Sequence, residues 1–434
     1  MMRTRSWYRT TVASAATASL LLAVTACGNG SGSDGGSADW WHIQTGEQAL
    51  VDLFPQLAEE FNEANDVDVN PEPISNDDFK PALTTIMQAG DPPDLFHSWG
   101  GGVLEQYVQA GLVRDITDEV ADVAATLSPG AMEPYTVNDR IYGLPFDMGM
   151  VGMWYSRDLF EEAGLDPDSP PATWGELLDA VETLQDADIT PIAVAGAAPW
   201  TQHYWFSYLA IRIMGVDGYT AARDQRSFDE PGFVQAAEMW QELVDMQPFQ
   251  SGYLQQGYGD EGSAPAVFGS GDAAMHLMGQ WDVAVQESAA GQTAPGLGWF
   301  PFPEVEGGAG SIDEVYGGGN GHVVGINAPD YVVDFLIYLT TEAYDRILEE
   351  DPGLIPVTAE PSFSDPEGHS ALLHSTVQGA SQFQLYFDQD LPPAVGDQVN
   401  NSVGAITDGS MTPAEAVAAM HDTFQAEPEF SVED

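Results

Sequence analysis

Lysine is nearly missing from this chain: Lys80 is the only one in 434 residues, and 11 basic residues face 68 acidic ones, a formal net charge of −57 at pH 7. A field of that sign repels nucleic acid, phosphates and anionic lipid surfaces, so it argues against a nucleic-acid partner and for a neutral or cationic ligand. Cysteine is equally scarce. Cys27 stands alone, so no intramolecular disulfide can form and no cysteine pair is available to a metal. The histidines at 42, 97, 203, 276, 322, 369, 374 and 421 contain no H-E-x-x-H, and a zinc site lacks its signal. No G-x-S-x-G nucleophile occurs, and Gly317-Gly318-Gly319-Asn320-Gly321 is followed by no Lys-Ser/Thr; close backbone approach or a hinge fits that run better than a phosphate loop. No cofactor is expected. A glycoside hydrolase is not excluded this way, because among 68 acids some carboxylate pair can always be nominated.

What is present describes a globular protein: 44% hydrophobic residues with 45 Gly and 29 Pro, long enough for two lobes with a core each. Residues 1–26 read as a secretion leader, with Arg3, Arg5 and Arg9 at its start and an apolar run over 11–26 that is short for a membrane span. Val24-Thr25-Ala26-Cys27 resembles a bacterial lipobox, which implies that Cys27 becomes a lipidated first residue. A stray cysteine in a cleaved leader is the alternative. Residues 27–38, rich in Gly and Ser, then read as a tether. The acid excess with so little lysine resembles proteins from salt-rich surroundings; a solubility bias of secreted proteins would produce it too.

Along the body, Asp39-Trp40-Trp41-His42-Ile43 reads as a strand and residues 47–64 as an amphipathic helix, with Leu50, Leu53, Phe54, Leu57 and Phe61 at helical spacing. A strand around Val67, Val69 and Ile74, a helix over 79–89 and a strand at Asp94-Leu95-Phe96 continue the alternation, which predicts an α/β fold, a largely parallel sheet and ligands at strand ends. Thr173-Trp174-Gly175-Glu176 and Thr412-Pro413-Ala414-Glu415 are capping boxes that start helices. Residues 231–246 and 331–349 read as two further helices.

Sugars present hydroxyls to carboxylates, amides and imidazoles, and flat C–H faces to aromatic rings. Trp41-His42, Trp99-Gly100, Trp200 ahead of His203-Tyr204-Trp205, and Trp281-Asp282 read as loop clusters suited to such a groove, each with partial burial under a loop as the plain alternative. Trp240, at helical spacing, reads as core.

The ordered series Phe61-Asn62-Glu63-Ala64-Asn65, Gly90-Asp91-Pro92-Pro93-Asp94, Ile141-Tyr142-Gly143-Leu144-Pro145, Met153-Trp154-Tyr155-Ser156-Arg157-Asp158, Thr173-Trp174-Gly175-Glu176, Gly279-Gln280-Trp281-Asp282 and Gly353-Leu354-Ile355-Pro356-Val357 resembles extracellular solute-binding proteins of carbohydrate ABC importers. The resemblance implies two α/β lobes closing by a hinge on sugar held between them. It divides the chain into a first lobe at 39–145 and 317–355 and a second at 146–316 and 356–434. It also implies a non-enzyme on the extracellular face of the membrane, lipid-anchored, monomeric, and partnered by the membrane subunits of an importer.

Trp40-Trp41-His42-Ile43-Gln44 and Ser98-Trp99-Gly100-Gly101-Gly102 look closest to the subgroup that takes up xylobiose and longer xylo-oligosaccharides; raffinose-type and cello-oligosaccharides remain alternatives, as does a secreted hydrolase. By position in that pattern, Trp41, His42, Gln44 and Glu47 face the groove and Trp99 and Gly100 line its floor. Asp147 follows the crossing, Trp200 and Trp281 stack on sugar, and Phe387, Asp388 and Gln389 close over one end.

Overall fold

The strand Ala38–His42 alternates buried and half-buried residues, as a strand with unequal faces must. On one face Trp40 stacks 4.7 Å from Phe54 of the helix Leu53–Asn65 and meets Phe335 of the helix Tyr331–Thr340 at 5.1 Å. On the other, Phe96 and Val323 pack with Phe79, Leu83 and Tyr107 in a separate cluster. The computed structural model describes residues 36–45, 50–259, 262–351, 353–358, 361, 363 and 368–428. The leader, Cys27, most of the tether, and Glu47 with the expected helix start around it lie outside the described residues.

The first sheet runs, in spatial order, Val69–Pro73, Ala38–His42, Leu95–Ser98, Gly321–Val324 and Gly143–Pro145. Its first three strands are parallel, and Gly321–Val324 is antiparallel to both neighbours. The second sheet centres on Gly149–Ser156, buried along its whole length and paired antiparallel with Glu314–Gly318, Met275–Gly279 and Leu297–Phe300. Only Gln382–Leu385 is added in parallel, beside Glu314–Gly318. Among the described residues, parallel pairing of strands is therefore confined to the first three strands of one sheet and to this one pair in the other. The alternation at 39–98 does not continue, because the partners of Gly149–Ser156 arrive after long helical excursions whose return direction no local pattern sets. The architecture is a two-lobed α/β fold.

Both capping boxes form, Thr173 with Glu176 and Thr412 with Glu415. The single helix expected over 331–349 is instead two, Tyr331–Thr340 and Tyr344–Glu350. The hydroxyls of Thr340 and Thr341 donate back to the carbonyls of Leu336 and Ile337, competition that weakens a helix interior, and Thr341 leaves helical geometry at φ −124°, ψ −85°. Trp200 and His203-Tyr204-Trp205 are not in a loop. They open the helix Pro199–Asp224, whose first turn Pro199 suits and which kinks at Gly215. Trp205 stacks on Trp240 at 5.6 Å in the core. Four residues beyond Tyr208, buried Arg212 donates to the carbonyls of Phe302 and Glu314 and tethers the start of the strand Glu314–Gly318 to this helix.

Three stretches meet where the chain passes between the sheets. Phe146 and Met148 take backbone bonds from Asn320 and Ile355: the Phe146 N–H donates to the Asn320 carbonyl and the Met148 N–H to that of Ile355, both at 2.8 Å. Tyr344 donates its hydroxyl to the Phe146 carbonyl at 2.9 Å. A Cβ at Gly319 would stand 2.5 Å from the Asp147 carbonyl, so the close approach expected of the glycine run is made here by backbone against backbone.

Candidate ligand site

The C-terminal ends of the parallel strands Ala38–His42 and Leu95–Ser98, with the start of the antiparallel strand Gly321–Val324, carry a row of three histidines. The register sets His97 directly opposite His322, and places His42 beside His97, one residue beyond the Trp41 and Phe96 pair. All three are buried. Burial lowers His42 to about 4 and His322 to about 3, and pushes His97 well below the usual range, with the other histidines and Lys80 adding to it. They are neutral imidazoles at pH 7, able to donate from one nitrogen and accept at the other. His42 Nδ1 accepts from the Gln44 N–H at 3.2 Å, and the Nε2 atoms of all three have no protein partner.

Beside His97, the rings of Trp99 and His97 meet edge-on at 4.5 Å. Together with Lys80, Tyr107 and Val103 from the first lobe, and Asp388, Gln389 and Asp397 from the second, they line a narrow cleft of about 50 Å³. Lys80 Nζ lies 2.9 Å from Asp388 Oδ2 and 5.1 Å from the centre of the Trp99 ring. Burial pushes Asp388 up, but the Lys80 charge, His203 and the Asn400 amide more than offset that and hold it at about 2. Gln389 Oε1 is buried with no protein partner.

A second element is an aromatic wall in the second lobe. Trp200 meets Tyr204 and Tyr258 at 5.8 and 4.9 Å, Tyr204 lies 5.2 Å from Tyr386, and Tyr386 meets Trp281 edge-on at 6.4 Å. Trp281 lies flat because Gly279 beneath it has no side chain; a Cβ there would overlap the indole. Asp282 anchors the wall from behind, accepting from Tyr258 at 3.0 Å and Gln286 at 2.7 Å and pairing with His276 at 3.0 Å. The Tyr386 hydroxyl and the Trp200 indole N–H are buried without protein partners, and buried polar atoms of this kind ordinarily find a partner.

The expected residues thus divide. Trp99, Asp388 and Gln389 converge on one cleft, and Trp200 and Trp281 share one wall. Gly100, at φ +70° and ψ −148°, caps the helix Gly101–Gln109 and lets the chain turn against Pro134. Trp41 is half-buried on the Phe79 side of the sheet. Two expected contacts are committed elsewhere. Phe387 is fully buried, stacked on Tyr219 at 3.9 Å. Asp147 is 1% exposed and accepts from the Asn320 backbone at 2.6 Å and its amide at 2.9 and 2.8 Å, joining two of the crossings between lobes. Lys80, His97, Tyr258 and Tyr386 escaped the sequence reading, whereas Tyr204 stood in the cluster behind Trp200; for Lys80 its rarity was the available signal, and for Tyr258 and Tyr386 there was none.

With the site's geometry in place, comparison with known proteins decides the family. The profile described as bacterial extracellular solute-binding protein matches residues 47–346. The chain belongs to that family. This solute-binding protein is 24% identical over 273 residues to an uncharacterized ABC transporter extracellular-binding protein of Pyrococcus horikoshii, covering 61% of this chain and 59% of that one. It is 30% identical over 188 residues to the xylose/arabinose-binding protein of Haloferax volcanii, covering 42% and 40%. The alignments therefore span less than two thirds of these relatives' own lengths. A solved structure from work on xylan utilization by the thermophilic bacterium Caldanaerobius polysaccharolyticus superposes with a TM-score of 0.80 at 26% identity, covering 89% of this chain and 99% of that one. Families of this kind consist of substrate-binding proteins that act outside the membrane, not of enzymes.

Proposed function

We propose that this solute-binding protein captures a neutral oligosaccharide, xylobiose or a longer xylo-oligosaccharide, between its lobes and presents it to the membrane subunits of an ABC importer. The observation that carries the proposal is the cleft where Trp99 and neutral His97 of one lobe face Asp388 and Gln389 of the other, with the aromatic wall of Trp200, Tyr204, Tyr386 and Trp281 in the second lobe. Aromatic faces with a few convergent acceptors and donors suit a sugar ring, and specificity comes from polar atoms that the wrong epimer leaves unpaired. The Haloferax relative is a xylose/arabinose-binding protein and the Caldanaerobius structure comes from work on xylan utilization, which favours pentose oligomers. On this reading Trp41, His42 and Gln44 flank the groove, the crossing between lobes falls at 146–148 and 319–320, and Cys27 carries a lipid anchor that keeps a monomer at the extracellular face of the cell membrane.

A thermal-shift screen against xylobiose, xylotriose, cellobiose, maltose, raffinose and chitobiose, with product analysis, tests it. A native-state ligand raises the melting temperature by mass action; a rise with a xylo-oligosaccharide and no breakdown is expected. No shift with any sugar, or release of monosaccharide, overturns the reading.

A further inference from the structure

We propose that Lys80 is the latch of the cleft: its ammonium reaches from the helix Asn76–Ala89 of the first lobe to Asp388 of the second, and the closed arrangement depends on that one ion pair. The inference rests on the ligand-capture reading and names what holds the captured state. The two partners stand 308 positions apart in sequence and 2.9 Å apart in space, with 5% of the Asp388 side chain and 37% of the Lys80 side chain exposed.

Among the described residues of its own lobe, Asp388 receives only an amide, Asn400 Nδ2 at 3.2 Å, and a neighbouring imidazole. That imidazole, His203, is held neutral by burial, and its Nε2 is engaged by the Tyr316 hydroxyl at 2.8 Å. Lys80 therefore supplies the full positive charge that a buried carboxylate needs. The described arginines are engaged elsewhere, among them Arg114 with Glu119, Arg223 with Asp390 and Arg346 with Glu60, and the chain has no second lysine to substitute.

The latch also sits where the lobes touch. At the start of the helix Gly101–Gln109, Cβ atoms on Gly101 and Gly102 would stand 2.7 and 2.5 Å from the carbonyls of Gln389 and Asp390. Contact this close excludes water and salt from one side of the pair, so it is screened less than a surface pair. The ammonium lies over the Trp99 ring as well, an attraction within its own lobe. That contact orients Lys80 toward Asp388 before the lobes meet.

Because the sequence has a single lysine, an amine-reactive acetyl ester modifies Lys80 and the chain's N-terminus only, and peptide mass analysis separates the two. With the full chain in detergent and saturating xylobiose, or whichever sugar of the panel binds, acylation of Lys80 should slow about tenfold or more, and Lys80→Gln should bind that sugar about tenfold more weakly. Sugar binding with unchanged acylation, or with unchanged affinity in Lys80→Gln, overturns the latch and leaves the ligand reading standing. If no sugar binds, the ligand reading fails and the ion pair is still decided in the free protein. Asp388→Asn should then raise Lys80 acylation several-fold, and equal rates overturn it.

Discussion

Replacing Asp147 with asparagine should change how stability depends on pH more than it changes stability at any one pH. Burial raises this carboxyl to about 7, against the bonds from Asn320 that favour its charged form, and nearby Asp351, itself raised to about 6 by burial, pushes the same way. An unfolded aspartate titrates near 3.9. Between these values the folded protein binds a proton that the unfolded chain has released, so stability falls as pH rises through the window and levels off above about 7. A gap of about three units sets a ceiling of about 4 kcal/mol, of which about 2–3 kcal/mol falls between pH 5 and pH 8. Asparagine keeps an acceptor for the Asn320 N–H but cannot ionise. Urea unfolding followed by tryptophan fluorescence at several pH values would then show the variant gaining on the parent protein by that amount from pH 5 to pH 8. The many exposed acids contribute equally to both proteins and drop out of the difference. Parallel curves would refute the assignment of a buried, proton-holding Asp147 at the crossing.

Trp281→Ala should weaken sugar binding by about 1–3 kcal/mol with the fold intact, because a stacking face is lost; unchanged titration calorimetry would remove Trp281 from the site. Gly102→Ala favours its helix by about 1 kcal/mol in propensity yet places a Cβ 2.5 Å from the Asp390 carbonyl, so melting should hold or rise while sugar affinity falls, and equal affinity would show that the lobes need not touch there. Trp240→Ala removes a fully buried indole whose N–H donates to Thr407 at 3.0 Å and should cost about 3–5 kcal/mol in urea unfolding; a loss under 1 kcal/mol would contradict its place in the core. Cys27→Ser should release the protein to the medium or leave its leader uncleaved, and normally processed, membrane-bound protein would refute the anchor.

Local chemistry written in short segments was legible without coordinates. The capping boxes at Thr173 and Thr412, the helix Pro231–Asp245 and the opening strand depend on residues within a few positions of one another, so composition and spacing carry them. The family could be read for the same reason, since an ordered series of short motifs is itself a sequence property. The break between Tyr331–Thr340 and Tyr344–Glu350 was less visible, because hydrophobic periodicity runs on through threonines whose hydroxyls compete for the backbone.

Tertiary structure decided the rest. Trp205 and Trp281 both belong to clusters that read as groove-facing loops, yet one is stacked in the core on Trp240 and the other lies over Gly279 in an aromatic wall. Asp147 and Asp388 are both acids next to an apolar residue; one pins Asn320 at the crossing and the other meets a lysine 308 positions away. Periodicity tells which face of an element is buried, and the sequence by itself determined that much. Which distant partner buries it is set by how the two sheets are threaded and closed upon each other, because burial and charge pairing are properties of the space around a side chain and not of its neighbours along the chain.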